Sequence, residues 1–278
     1  MSGSAVIFIV AFAALLGLVI GSFLNVVIYR VPAKVSLLRE SRCPGCNSAI
    51  RPWNNVPVLS WVVLRGRCAD CDEPISARYP LVEAATGAAF ALVAWASLAS
   101  QASVGGSWTA AATVVTIAYL YFAAISVTLT MIDLDTRRLP NDIVLPSYIV
   151  AAVLFALASL LDADWTGLLR AAIGGLGLYA FYFVLRLIRP AGMGGGDVKL
   201  AGLVGIYLAW LGWGTLVVGA FAAFLLGGVF GIVLLITRRA GRRTAIPFGP
   251  WMLAGAWVGI FAGQTVGQWY VGTWAVGS

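Results

Sequence analysis

The chain has 278 residues, of which 61% are hydrophobic and only 10% are charged, with a formal net charge of +7 and no histidine. Soluble proteins carry about 25% charged residues, so this composition excludes a soluble domain and indicates an integral membrane protein. Without histidine, Ser-His and Cys-His nucleophile pairs and histidine-ligated zinc hydrolases are excluded, and carboxylates become the leading acid–base groups. Positive charge in a membrane protein more often reports topology than nucleic-acid binding, so we expect no nucleic-acid partner.

Apolar runs long enough to cross a bilayer recur along the chain, which favours helices over short alternating strands. The first run covers residues 5–29 and lacks both the basic start and the cleavage site of a signal peptide. Seven further spans are predicted at roughly 81–100, 108–131, 142–161, 167–188, 198–213, 215–236 and 248–270. The predicted fold is therefore all-α, a polytopic membrane protein of about eight transmembrane helices.

Residues 30–80 form the only extended polar region and hold eight of the eighteen Lys and Arg residues. The chain thus divides into a first helix (1–29), a polar loop (30–80) and a seven-helix core (81–278). If the loop is cytoplasmic and sides alternate at each span, seventeen of the eighteen basic residues fall on the cytoplasmic side, including those at 238, 239, 242 and 243. Arg170 is the exception. We therefore predict both termini outside.

Carboxylates lie at two span ends that this topology brings to one membrane face. Asp133 and Asp135 end the third span, and Asp197 opens the sixth, between the glycines 194–196 and Lys199. Two aspartates that meet share one proton, because like charges about 3 Å apart cannot both ionise. Such a pair activates water against a peptide carbonyl, and the glycines would admit an extended substrate backbone. The alternatives are solvated loop charges and a flexible loop in which Asp197 only caps a helix.

All four cysteines lie in the polar loop, in two Cys-x-x-Cys pairs. Cys43 and Cys46 are separated by 21 residues from Cys68 and Cys71. Four thiolates from two such pairs suit tetrahedral Zn²⁺ in a reducing compartment, with free thiols as the alternative. Because a loop of this length has little apolar core of its own, we expect a structural metal that folds it.

The two aspartate segments resemble the motifs of type IV prepilin peptidases. Gly194-Gly195-Gly196-Asp197 is a GxGD motif continued by Val198-Lys199-Leu200, and the segment 132–141 is similar to the family's other aspartate motif. In that family the catalytic aspartate lies seven residues before the proline, which selects Asp133 and leaves Asp135 to tune the site or contact basic substrate residues. Segments 21–30, 55–61, 64–67 and 75–83 extend the resemblance to the full-length, bifunctional form.

The resemblance implies two activities in the bacterial cytoplasmic (inner) membrane. The enzyme would cleave the basic leader of type IV prepilins and pseudopilins after a glycine, on the cytoplasmic side. It would then methylate the new N-terminus with S-adenosylmethionine. Most of the catalysis of that transfer would come from holding the amine in line with the methyl group. Candidates for the cofactor site are Asn25, Arg30, Glu40 and Glu83, each equally able to serve as a structural hydrogen-bond or charge partner. One departure is local, since many relatives carry a histidine where this chain has Asn47-Ser48.

Two other functions are considered from the same residues. Intramembrane carboxylates with glycine-interrupted helices also mark the ion pathways of transporters and channels. That function predicts internal repeats and acids near mid-membrane, whereas the spans show no obvious self-similarity and the aspartates lie at span ends. A zinc-bearing membrane scaffold without catalysis would explain the cysteines and leave both aspartate motifs without a role.

Overall fold

The structure, a computed structural model, describes residues 2–103, 107–190, 193–237 and 247–275. In these ranges there is no β-strand, and the helices in chain order are α1 (Gly3–Arg30), α2 (Leu59–Val63), α3 (Arg78–Ser103), α4 (Ala110–Thr136), α5 (Asn141–Asp162), α6 (Thr166–Ile188), α7 (Gly195–Leu211), α8 (Trp213–Ile236) and α9 (Gly249–Ala275). Each predicted span corresponds to one long helix, so the all-α prediction is confirmed. The basic cluster at 238–243 lies outside the described residues.

Six of these helices are long and apolar enough to cross a membrane by length and composition. They are α1, α3, α4, α5, α6 and α8. The predicted sixth and eighth spans correspond to α7 and α9, which are not among these six. At 17 residues, α7 would extend roughly 25 Å, slightly less than the hydrocarbon thickness of a bilayer.

The chain divides into two compact units. The N-terminal unit comprises residues 1–109 and 119–128, and the C-terminal unit comprises 110–118 and 129–278. The N-terminal unit therefore includes α3 together with α1 and the polar loop, although the sequence places a boundary at residue 80. The division at residue 80 stays a prediction, and helix packing instead groups α3 with α1 and the polar loop.

In the N-terminal unit, α1 packs closely on α3. A methyl group built on Gly17 would lie 2.8 Å from the Cα atom of Gly87, and one built on Gly21 would lie 2.7 Å from the Cα atom of Glu83. Small residues spaced four apart allow helix backbones to approach in a membrane protein. The crossing therefore brings the polar end of α1 beside the start of α3.

In the C-terminal unit, α7 is the central helix and contacts α5, α6, α8 and α9. Its buried positions extend over most of its length, from Val198 to Ala209. The closest crossing is with α6, where a methyl group built on Gly174 would lie 2.2 Å from the Cβ atom of Ala209. The helix that begins with the GxGD motif is thus the best-packed element of its unit.

Arg170, the one basic residue that departs from the predicted charge pattern, has a structural role. Its guanidinium donates hydrogen bonds to the carbonyl oxygens of Ala209 and Trp210 in the last turn of α7. These carbonyls have no partner within their own helix, and a cation at a helix C-terminus is stabilised by the helix dipole. Arg170 therefore caps α7.

Candidate active site and metal centre

Asp133 lies one turn before the end of α4 and is almost completely buried, at 3% exposure. Its Oδ2 atom accepts a hydrogen bond of 3.0 Å from the backbone N–H of Gly249, the first residue of α9. The first N–H groups of a helix have no partner in the helix itself and carry partial positive charge. The start of α9 therefore holds this carboxylate in place.

Gly249 is a site residue that the sequence reasoning missed. A methyl group built on it would lie 2.7 Å from Oδ2 of Asp133, so any other residue would displace the carboxylate. Phe248, which precedes it, packs in an aromatic cluster with Tyr182 and Phe224, at ring-centroid distances of 6.2 and 5.5 Å. The available signal was Gly249-Pro250, because proline is favoured in the first turn of a helix.

Asp197 is the third residue of α7, and its carboxylate faces back over the helix start. Its Oδ2 atom accepts a hydrogen bond of 2.9 Å from the backbone N–H of Gly194. The bond is of the kind an acidic side chain makes in a helix-capping arrangement, and the helix dipole favours negative charge there. Asp197 therefore does cap its helix, as one alternative expected, and the same hydrogen bond fixes the orientation of its carboxylate.

The two aspartates belong to one cluster of the C-terminal unit. Leu139 contacts both segments, since a methyl group built on Gly196 would lie 2.9 Å from its Cβ atom and one built on Gly249 would lie 3.4 Å from its Cδ2 atom. Asp133 and Asp197 are also close enough for their charges to interact. The structure therefore brings together the two carboxylates that the motifs selected.

The remaining predicted site residues have different surroundings. Asp135 is exposed, and Lys199 donates a hydrogen bond of 2.8 Å to Oδ1 of Asn141, which links α7 to the first residue of α5. Gly195 lies against Arg186, whose Nη1 atom would be 2.7 Å from a built methyl group. Lys199 thus has a structural partner. Arg186, which is not part of the motif, places a cationic group beside the GxGD backbone.

The four cysteines converge in the N-terminal unit. The Sγ atoms of Cys43, Cys46, Cys68 and Cys71 all lie within 4.8 Å of one another, and those of Cys43 and Cys71 are 3.7 Å apart. A tetrahedral site with Zn–S bonds of about 2.3 Å places its sulfurs roughly 3.8 Å apart. The donor set and its spacing therefore fit a four-coordinate metal ion.

Both Cys-x-x-Cys turns have the same local construction. Asn47 and Asp72 each follow a second cysteine with positive φ, at 58° and 59°, a conformation that Asn and Asp tolerate well. Single antiparallel bridges flank the turns, one between Arg42 and Ala49 and the other between Arg67 and Pro74. Two matching turns thus present paired thiols to one point.

The hydroxyl of Ser48 lies 2.7 Å from Sγ of Cys46. Hydrogen bonds from the Ser48 side chain and backbone lower the pKa of Cys46 to about 6. The thiolate is the form that binds a metal. Ser48 therefore favours the ligand form of this cysteine.

The four candidates for a cofactor site are placed differently. Arg30 is buried and donates to the carbonyls of Ser36, Leu37 and Arg39 and to the hydroxyl of Ser41. Its side chain therefore organises the first part of the polar loop.

The amide of Asn25 donates a hydrogen bond of 3.1 Å to the carbonyl of Tyr79. Glu40 is exposed and pairs with Arg42 at 2.8 Å. Glu83 is buried, at 8% exposure, and its Oε2 atom accepts a hydrogen bond of 2.7 Å from the backbone N–H of Val58. Of the acids proposed for this site, only Glu83 is enclosed by the protein.

Fold and site together define a polytopic helical membrane protein with two aspartates in one cluster and a four-cysteine centre. The model for the bacterial Peptidase A24 N-terminal domain matches residues 15–97, and the model for the type IV leader peptidase family matches residues 120–232. The chain belongs to the type IV leader peptidase family.

Curated relatives match over almost the whole chain. A prepilin leader peptidase/N-methyltransferase of Stutzerimonas stutzeri is 36% identical over 93% of this chain and 92% of its own length. Proteins of the same description from Neisseria gonorrhoeae, at 36% identity over 96% and 94%, and from Legionella pneumophila, at 31% over 94% and 93%, are also similar. No solved structure matches the chain.

Proposed function

We propose that this chain is a bifunctional membrane enzyme that removes the leader of type IV prepilins and pseudopilins and then N-methylates the new N-terminus. The observation that carries the proposal is the placement of Asp133 and Asp197 in one cluster, each held by a backbone N–H at a helix start. Membership of the type IV leader peptidase family supports it, as do relatives described as prepilin leader peptidase/N-methyltransferase. The same membership disfavours a transporter or channel.

The aspartates act as an acid–base pair on a peptide bond. The ionised carboxylate removes a proton from a water molecule, whose oxygen attacks the scissile carbonyl carbon, while the protonated carboxylate donates to the carbonyl oxygen. Collapse of the tetrahedral intermediate breaks the C–N bond. The leaving amine takes a proton from one carboxyl group, and the other carboxylate takes the hydroxyl proton of the intermediate. Both acids survive unchanged, and neither a metal nor a covalent nucleophile is needed.

The surroundings of the pair suit an extended substrate with a basic leader. Gly194 is exposed and carries no side chain that would block a peptide lying beside Asp197, whereas Gly195 and Gly196 pack against Arg186 and Leu139. Asp135 is exposed two residues beyond Asp133 and supplies negative charge for basic leader residues. We place this chemistry at the cytoplasmic side of the bacterial inner membrane, with both termini outside, from the distribution of basic residues along the sequence.

The second activity belongs with the cysteine loop. We assign Zn²⁺ to the four thiolates as a structural ion, because all-sulfur tetrahedral sites are typical of structural zinc. When bound, S-adenosylmethionine would supply an activated methyl group for the new amine, and Asn25, Arg30, Glu40 and Glu83 are the candidate residues to hold it. The protein's part is to orient the amine and the methyl donor, which accounts for most of the catalysis in such a transfer.

The test uses the purified full chain in detergent with a synthetic prepilin peptide that contains leader and apolar segment. Mass spectrometry should detect loss of the leader without cofactor, and an additional methyl group on the new N-terminus when S-adenosylmethionine is present. An intact peptide under both conditions would contradict the proposal. A channel would leave the peptide unchanged and conduct ions in liposomes, and a scaffold would do neither.

A further inference from the structure

A cavity of about 620 Å³ lies within the N-terminal unit, where the end of α1, the start of α3 and the cysteine loop meet. Pockets for small molecules typically measure about 300–1,000 Å³. Its lining includes Ser22, Asn25, Arg30, Trp61 and Glu83. Because Arg30 uses its hydrogen bonds to hold the loop carbonyls, one wall of the cavity is formed without any ligand.

Glu83 is the one acid of this lining that is buried. One of its oxygens accepts the hydrogen bond from Val58, and in the part of the chain that the structure describes the other oxygen has no hydrogen-bond partner and no ion pair. Burial of a carboxylate is costly unless a cation or further hydrogen bonds compensate it. The cavity therefore presents a carboxylate oxygen that a cationic ligand would satisfy.

The loop is strained where it meets Glu83. Val58 has φ of 61° and ψ of −48°, and the N–H of Leu59 donates to the carbonyl of Pro57, which forms a γ-turn. This turn is rare and unfavourable for a β-branched residue. Such backbone strain persists only where contacts with the surrounding structure hold the residue in place. The hydrogen bond from Val58 to Glu83 supplies part of that restraint.

The strained turn also positions an aromatic side chain. Val58 directly precedes α2, and α2 carries Trp61, whose indole N–H donates a hydrogen bond of 3.0 Å to the carbonyl of Ile75. The ring is thereby held at the cavity wall. A fixed aromatic surface near an enclosed carboxylate suits a ligand that combines a flat heterocycle with positive charge.

We infer that this cavity binds S-adenosylmethionine, with the carboxylate of Glu83 recognising the cofactor's positive charge and Trp61 forming the wall for its adenine. The inference rests on the proposed methyltransferase function. Glu40, which has a salt bridge of its own, has no part in the site.

The experiment measures binding rather than turnover. Isothermal titration of the purified, zinc-loaded full chain with S-adenosylmethionine is compared between wild type, Glu83→Gln and the matched control Glu40→Gln. Glutamine keeps an acceptor for the N–H of Val58 and removes only the charge. We expect Glu83→Gln to bind about tenfold or more weakly, the size of a lost charge-assisted hydrogen bond, and Glu40→Gln to bind as wild type does.

A second variant, Ser22→Trp, fills the cavity from α1 and should also lose binding. Zinc content per chain, measured in parallel, reports whether the N-terminal unit of each variant has folded. If Glu83→Gln binds the cofactor within about twofold of wild type, or Ser22→Trp binds it normally, the assignment of this cavity is wrong. If wild type itself neither binds the cofactor nor methylates a cleaved pilin, the proposed methyltransferase function fails, and the inference fails with it.

Discussion

The backbone N–H of Gly249 donates a hydrogen bond of 3.0 Å to Oδ2 of Asp133 across 116 residues of sequence. Asp197 has an equivalent arrangement, with its own Oδ2 on the N–H of Gly194. Each carboxylate is thus oriented by a helix start, with positive partial charge from the backbone. In both cases the donor N–H belongs to a glycine, so the donor residue places no side chain next to the carboxylate.

Replacing Gly249 by alanine should disable cleavage. The added methyl group would lie 2.7 Å from Asp133 Oδ2 and displace the carboxylate. Misplacement of a catalytic group by about 1 Å costs on the order of 10²-fold, so kcat for leader cleavage should fall by that factor with KM little changed. Thermal unfolding in detergent serves as the measure of folding, and methylation of a pre-cleaved pilin should continue.

Gly228→Ala is the control for that variant. It places the same methyl group in α8, where no atom lies within 4 Å, and should leave cleavage unchanged. Normal cleavage by Gly249→Ala would show that the hydrogen bond to Asp133 has no catalytic importance.

Asp133→Asn and Asp197→Asn should each abolish cleavage while the protein still inserts into the membrane. Asparagine preserves size but cannot exchange a proton, so the remaining aspartate has no partner. The measurement is leader removal by mass spectrometry, with Asp162→Asn, at the end of α5, as a carboxylate control that should behave as wild type. Full cleavage by either single variant would refute the paired-carboxylate mechanism.

Replacing Cys43 and Cys46 together by serine should remove the metal and the methyl transfer. Two of the four thiolates are lost, and metal binding stabilises a loop that has little core. Zinc content per chain and methylation of a cleaved pilin should both fall to background. Because the cysteines and the aspartates belong to different compact units, leader cleavage should continue.

Chelation of wild type provides the matched control for the cysteine variant. Removing the metal should suppress methylation and restoring Zn²⁺ should recover it, whereas the variant should not respond. Unchanged methylation by the variant would contradict a structural metal in this loop.

Gly205→Leu should destabilise the C-terminal unit. A methyl group built on Gly205 would lie 2.6 Å from the carbonyl oxygen of Gly174, and leucine adds still more volume between α6 and α7. Overpacking of this kind costs about 1–3 kcal/mol, and cleavage should also fall because α7 carries Asp197. Thermal unfolding in detergent measures the effect. Gly177→Leu on α6, with no atom within 4 Å of a built methyl group, should unfold as wild type does.

The sequence alone determined the elements whose signals are local. Length and hydropathy predicted each long helix, and the spacing of Cys43, Cys46, Cys68 and Cys71 predicted the thiolate cluster. These predictions succeed because span length is fixed by bilayer thickness, and because metal geometry restricts the distances between paired ligands. The resemblance in turn predicted that Asp133 and Asp197 form the catalytic pair.

Only the tertiary structure decided which polar groups meet. Helix crossing placed the start of α9 on Asp133, joined Glu83 to the strained turn at Val58, and directed Arg170 to the last carbonyls of α7. Such partners lie far apart in sequence, and their pairing depends on crossing geometry and on unsatisfied helix ends. The physical reason is that a buried polar group must find a partner, whereas its own sequence neighbourhood does not specify which one.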